Sequence, residues 1–576
     1  MEYRWELAQK PDNTPLELLR SSLGVSEFIA RLLIQRGVTT FDQAKEFFRP
    51  SLGDLHDPFL MKDMDKAVGR IQTALEEGQK ILIYGDYDVD GTTSVALMVT
   101  FFNHFYTENI DYYIPDRYTE GYGVSFQGVD YAKENDCALI IALDCGIRAH
   151  EKVDYATKKG IDFIICDHHL PHGSIPKAVA VLNHKRPDCE YPYKELSGCG
   201  IGFKLCQALA QELNLEDHTW QDLLDLVAIS SACDIVPLTG ENRVLVHLGM
   251  EQLNANPRGG IESMIELSGK KGMFSVTDVV FVIGPRINAA GRIEHAKKAV
   301  ELLLSESGEL AEKASKILEE RNLERRELDK HITEEALSAI TENNFEDKKS
   351  TVVYDKNWHK GVVGIVASRL TEHYYRPTIV LTESNGKAVG SARSVKGYDI
   401  HEALTQCSDV LEQFGGHQFA AGMTLEIDNV PKLQTKFEEV VSSTIDPELL
   451  VPKLEIDLEI ELSAIDEKFW RIIKQFAPFG PDNMKPVFVT RNCVDGGWSK
   501  AVGGDKTHLK LDVVQQDNPG VKISGIAFKM GHLEKEIKSK KPFDVVYTIE
   551  ENEWQGNVTL QLMVKDLLFS SAKIRY

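Results

Sequence analysis

The sequence predicts an α/β protein of several domains: a parallel-sheet domain, a long bridging helix, a second and smaller α/β domain, and a C-terminal β-barrel. Three observations carry this. Near-continuous apolar runs at 81–84, 138–143 and 162–166 alternate with helical stretches, the pattern of strands buried on both faces and joined by crossover helices. Residues 296–345 are dense in Glu, Lys, Leu and Ala, with no proline and Gly308 alone, which predicts one or two long solvated helices. After Pro452 the apolar residues alternate with polar ones, the two-residue period of half-buried strands.

In chain order, residues 1–60 are expected to pack on the parallel-sheet domain, which spans 61–295. Its strands are Ile81-Leu82-Ile83-Tyr84, Ala138 to Leu143, Asp162 to Cys166, and a fourth at Ala178 to Leu182. Bridging helices occupy 296–345. The second α/β domain, 346–450, has strands near 351–354, 378–382 and 387–391. In 451–576 the runs Leu454 to Ile460, His508 to Val513 and Asn557 to Leu562 predict a small antiparallel barrel or sandwich. A chain of 576 residues is too long for one core, and no internal repeat is visible.

Composition narrows the function class less than the motifs do. With 43% hydrophobic and 27% charged residues the chain can bury large cores. No apolar run reaches the roughly 18 residues of a membrane span, and the start lacks the basic and apolar regions of a signal peptide. Nine cysteines without CxxC pairs read as reduced thiols rather than a disulfide framework. The expectation is a cytoplasmic protein. A net charge of -23 requires any nucleic-acid surface to be local.

The chemistry concentrates in the loop Asp86-Tyr87-Asp88-Val89-Asp90-Gly91. Numbered as an EF-hand from Asp86, its twelfth position is Leu97 instead of a bidentate Glu, and the loop follows a strand; the calcium reading fails. Ligands bind parallel sheets beyond the carboxyl ends of the strands, where the other polar clusters fall: Asp144, Asp167-His168-His169, and Asp234 after the apolar stretch 226–229. A carboxylate ending an apolar strand is costly without a compensating metal or hydrogen bonds. Carboxylates with imidazole suit Mn²⁺ or Mg²⁺, and several shared carboxylates suit two ions roughly 3.5–4 Å apart, the clamp used in phosphoryl displacement.

These motifs resemble the DHH phosphoesterase superfamily. Ser231-Ala232-Cys233-Asp234-Ile235-Val236-Pro237-Leu238, Gly240-Glu241-Asn242-Arg243 and the segment Gly284 to Arg292 are similar to its RecJ branch of single-strand-specific exonucleases. Gly390 to Ser394 and Gly415-Gly416-His417 resemble the DHH-associated domain, and Phe479 to Asn483 the segment leading into an OB-fold. The resemblance implies a DHH domain, a DHH-associated domain and an OB-like barrel. It implies Asp88, Asp90, Asp144, His168 and Asp234 as metal ligands, with Asp86 and His169 either ligands or their immediate neighbours, and His169 on the scissile phosphate. Many members carry His where this chain has Tyr84, which makes Asp86 a candidate for the missing contact.

The resemblance also implies a 5′-phosphate pocket of Arg117, Ser391 and Arg393. Arg286, Asn288 and Arg292 would form the wall of the DNA path, and Gly415-Gly416-His417 would let the backbone approach phosphate closely. In the barrel, Lys500, Lys506, Lys510 and Lys522 with Trp498 and Phe528 are candidates for a single-strand groove. The implied activity is 5′→3′ hydrolysis of single-stranded DNA to 5′-mononucleotides with two ions, Mn²⁺ or Mg²⁺, in recombination and repair. Implied partners are single-stranded DNA, a helicase and a single-strand-binding protein, with the enzyme a monomer. The alternatives are a DHH-type oligonucleotide phosphodiesterase or phosphatase, and a catalytically inactive DNA-binding replication scaffold. The former needs no barrel; the latter would have lost ligands that this chain keeps.

Overall fold

The computed structural model describes residues 3–306, 308–342, 345 and 347–569. They form two units, residues 52–450 and a second that joins the chain up to Ser51 with residues from Val451 onward.

The larger unit is built on a five-stranded parallel sheet in the order Ile110–Tyr113, Lys80–Gly85, Cys137–Leu143, Asp162–Cys166, Ala180–Leu182. The three central strands are nearly all buried, which is why their sequences read as unbroken apolar runs. The edge strand Ile110–Tyr113 is half-buried, and no apolar run marks it. All five strands run the same way, so their carboxyl ends share one edge. Helix Val89–Asn103 leaves the second strand almost wholly buried, and Gly198–Glu212 and Leu224–Cys233 pack against it.

The bridging segment forms two helices, Lys297–Leu303 and the 34-residue Glu309–Glu342. The long helix packs against Gly259–Ser268, Gly284–Ile293 and Val363–Tyr374. The second sheet of this unit has the order Gln413–His417, Ala420–Leu425, Lys387–Arg393, Thr378–Ser384, Thr351–Tyr354. Only the last pair is parallel.

In the smaller unit seven strands form a sheet that closes because Phe488–Asp495 pairs with both Phe543–Trp554 and His508–Gln515. The barrel is mixed rather than antiparallel. Ser524 to Ala527 run parallel to Gln561 to Val564, and Leu458–Glu459 parallel to Phe488 and Val489; alternation along single strands does not encode direction. A second correction concerns the N-terminal segment. Residues 1–60 were expected to pack on the parallel-sheet domain, yet those up to Ser51 belong to the barrel unit. Arg4–Leu7 pairs in parallel with Lys453–Ile456, and Leu19, Ile29, Leu32, Leu33 and Phe47 share a core with Phe476, Phe488 and Phe543. These helices have one apolar stripe each, and the barrel supplies the surface that buries it.

Candidate active site

At the carboxyl edge of the parallel sheet the chain turns from strand to helix through Asp86 to Gly91. Asp88 caps the helix, accepting the Gly91 N–H at 3.1 Å, the usual use of an Asp at this position. Gly91 is required: a Cβ there would lie 2.4 Å from the Asp86 carbonyl oxygen. Asp90, in the first helical turn, accepts the N–H groups of Gly198 (2.6 Å) and Cys199 (2.8 Å) and the Ser230 hydroxyl (2.6 Å). Its carboxylate therefore sits on the N-terminus of helix Gly198–Glu212, where backbone donors and the helix dipole both favour negative charge.

Asp144 follows the third strand with φ +58°, a left-handed conformation that costs a non-glycine residue about 1–3 kcal/mol. Its N–H donates to the Cys166 carbonyl, so the pairing that continues the sheet holds the strained turn. His168 Nε2 lies 3.2 Å from Asp144 Oδ1, 3.6 Å from Asp234 Oδ2 and 3.7 Å from Asp90 Oδ2. Asp86, Asp88 and Asp144 form a second group whose oxygens lie within 4.8 Å of one another. Asp144 belongs to both groups. Asp234 does not end a strand, as its apolar approach suggested; it closes helix Leu224–Cys233.

His169 is oriented differently from His168. Its Nδ1 lies 2.8 Å from Asp167 Oδ1, and its other ring nitrogen 3.2 Å from the Tyr122 hydroxyl. Asp167 also accepts N–H groups from Ile147 and His169, so it orients this histidine. Tyr84 is occupied too: its hydroxyl donates to Gly123 O at 3.0 Å and accepts the Ser125 N–H at 3.1 Å.

The donor set fits divalent cations. Asp86 Oδ2 and Asp144 Oδ1 are buried with no hydrogen-bond donor, a costly state without a cation. None of Asp86, Asp88, Asp90, Asp144 and Asp234 pairs with Lys or Arg among the described residues, and the nitrogen and oxygen donors match hard ions. Burial first, then mutual repulsion, drives the carboxyls of Asp86, Asp88, Asp144 and Asp234 above the usual range. Burial pushes His168 down to about 4, leaving a neutral imidazole with a free lone pair. Burial works against His169, but its bond to Asp167 outweighs that and raises it.

Residues 80–230 match the DHH family N-terminal domain, 347–443 the DHHA1 domain and 456–566 the RecJ OB domain. The chain is 39% identical over 570 residues to the single-stranded-DNA-specific exonuclease RecJ of Bacillus subtilis, covering 98% of this chain and 71% of that protein. It is 33% identical to RecJ of Escherichia coli K12, covering 94% and 95%. The chain belongs to the RecJ family. Its fold superimposes on the crystal structure of Thermus thermophilus RecJ in complex with Mn²⁺ with a TM-score of 0.85 at 27% identity, covering 99% of this chain and 80% of that one. A Mg²⁺ complex of the same protein gives 0.78 at 26% identity, covering 99% and 79%.

Around this RecJ cluster the remaining candidates divide. Arg117 lies over the Tyr87 ring at 4.9 Å. Arg393 Nη1 donates to Ser391 Oγ at 2.6 Å, and Arg292 Nη1 to Gly361 O at 3.0 Å. Burial and then the charges of Arg117, Arg325 and Arg393 bring Arg292 down to about 10, so these four guanidiniums share one neighbourhood. Gly415, Gly416 and His417 lie exposed on the edge strand Gln413–His417, with Arg148, His169 and His172 close enough to depress His417 after burial. Arg286 does not fit the expected DNA wall. It is buried, pairs with Glu319 at 2.5 Å and donates to Val282 O, tying its helix to the long one. Asn288 lines a cavity with Arg292 and Arg325.

The sequence reading missed Tyr122, Ser230 and Arg325. Ser230 stands in the Ser230-Ser231-Ala232-Cys233-Asp234 run, four residues before Asp234, where it shares a helix face with that ligand candidate. Tyr122 and Arg325 carry no local signal. In the barrel, Trp498 and Phe528 are exposed by 78% and 52%, and Lys500 pairs with Lys510 across adjacent strands. Lys522 is bound to Asp512 at 2.7 Å, which leaves it less free for phosphate.

Proposed function

We propose that this RecJ-family chain is a single-stranded-DNA-specific exonuclease that hydrolyses phosphodiester bonds 5′→3′ and releases 5′-mononucleotides, in recombination and repair. The observation that carries the reading is the pair of carboxylate groups sharing Asp144 beside a cluster of four arginines. One part suits divalent cations; the other suits the phosphates of a strand end.

His168, Asp90, Asp144 and Asp234 would hold one Mn²⁺ or Mg²⁺, and Asp86, Asp88 and Asp144 a second. Bound divalent ions supply a more acidic water and neutralise charge on the non-bridging oxygens. Asp90 sits on its helix terminus and keeps its orientation through Ser230. His168, neutral near pH 7, offers a lone pair instead of a proton. His169 faces the scissile phosphate, with Asp167 fixing its ring and Tyr122 holding the opposite nitrogen. Arg117, Arg393 and Ser391 bind the terminal 5′-phosphate, and this sets the direction of attack. No side chain forms a covalent intermediate.

The exposed aromatic and basic residues of the OB domain add affinity along the strand. The enzyme works as a monomer in the cytoplasm on strands opened by a helicase and coated by a single-strand-binding protein. Among the described residues no helix is long and apolar enough to cross a membrane, and nine free cysteines suit a reducing compartment. Digestion of 5′-labelled and 3′-labelled single strands, duplex and dinucleotides tests the reading. Mononucleotides released from the 5′ end of single strands alone are expected. Cleavage confined to dinucleotides would make the chain a short-oligonucleotide phosphodiesterase, and binding without cleavage a scaffold.

A further inference from the structure

A cavity in the larger unit begins one residue from the carboxylate cluster. Cys233, which precedes Asp234, forms part of its wall together with Val280, Pro285 and Ile365. These surfaces are apolar. The polar part consists of Asn288 and the guanidiniums of Arg292 and Arg325. Two features of the backbone build it. Residues Val279–Ile283 form a π-helical turn, a rare geometry found mostly at functional sites. Gly284 then brings the following helix against Cys233, since a Cβ on it would lie 2.6 Å from the thiol sulfur.

The polar groups are not used up internally. The Asn288 amide makes no hydrogen bond to another described residue. Arg325 gives one nitrogen to Asn322 at 2.6 Å, while its nearest acid, Asp329, lies 3.8 Å away and is held by Arg369 at 2.6 Å. Arg292 belongs to two settings: it lines this cavity, and it feels the charges of Arg117 and Arg393. Apolar walls, an amide that both donates and accepts, and guanidinium planes able to stack are the groups that recognise an unstacked nucleobase.

We infer that this cavity receives the base of the 5′-terminal nucleotide while its phosphate lies among the arginines. The inference rests on the exonuclease reading and deepens it, because a paired base cannot enter, and so the cavity adds to the preference for single strands. The test compares kcat/KM of the full chain with Mn²⁺ on two 5′-phosphorylated single strands. One carries an ordinary terminal thymidine and the other an abasic tetrahydrofuran nucleotide. Base stacking contributes about 1–3 kcal/mol, so the wild type is expected to favour the thymidine strand by about 5- to 150-fold. Ile365→Trp, which fills the cavity, and Asn288→Ala are expected to bring the ratio toward one by losing more rate on the thymidine strand than on the abasic one. Should Ile365→Trp melt below the wild type, Asn288→Ala decides. A wild-type ratio near one with normal 5′ digestion, or an unchanged ratio in the folded variants, overturns the cavity and leaves the exonuclease reading standing. Absence of 5′ digestion on both strands overturns that reading instead.

Discussion

Asp90 and His168 show how the site is made from single residues. Three donors hold Asp90 in place, and one of them, the Ser230 hydroxyl, can be removed without touching a proposed ligand. Ser230→Ala is expected to weaken Mn²⁺ binding about 10- to 100-fold with little change in melting temperature without metal, as read by calorimetric titration. The raised carboxyls give a pH dependence. Asp86, Asp88, Asp144 and Asp234 bind protons in the folded chain that the unfolded chain releases near pH 4. Their contribution to metal-free stability is complete below that pH and is lost as pH rises through the elevated folded values. Metal must displace the same protons. Apparent Mn²⁺ affinity, measured by titration at several pH values, should therefore rise with pH, and the increase in melting temperature caused by Mn²⁺ should grow. The aspartates and histidines were legible in the sequence because a charge at the end of an apolar run is costly. Tyr122 was not, since nothing local marks a tyrosine that meets a histidine 47 residues away.

The elements explain which expectations succeeded. Strands buried on both faces announce themselves as apolar runs, and the parallel order follows from the helices between them. The edge strand Ile110–Tyr113, with two of its four residues tyrosine and all half-buried, has no such run. Arg286, expected in the wall of the DNA path, is buried against Glu319 and ties two helices together. Arg286→Gln leaves that carboxylate without its cation and is expected to destabilise the larger unit by about 2–4 kcal/mol, seen in denaturant melts. Affinity for single-stranded DNA in the folded variant should stay near that of the wild type. Arg292→Gln should do the reverse.

At the scale of the whole molecule, the chain up to Ser51 folds with residues beyond Val451, a pairing more than 400 residues apart in sequence that local pattern cannot foresee. Ile29 and Leu32 are fully buried in that shared core. Leu32→Ala should cost about 2–5 kcal/mol, with hydrogen exchange accelerated in residues 456–566 and unchanged in 80–230. The larger unit keeps the whole carboxylate cluster and the arginines within one core-bearing body, and Asp144 adjoins both proposed ion positions, grouped with Asp86 and Asp88 and 3.2 Å from His168. The most direct measurement is therefore the number of Mn²⁺ ions bound per chain, by electron paramagnetic resonance titration of wild type and Asp144→Asn. Two spin-coupled ions in the wild type, and loss of the coupling with at most one ion in the variant, are expected. A single ion in the wild type, or two coupled ions retained without Asp144, would contradict the two-ion site.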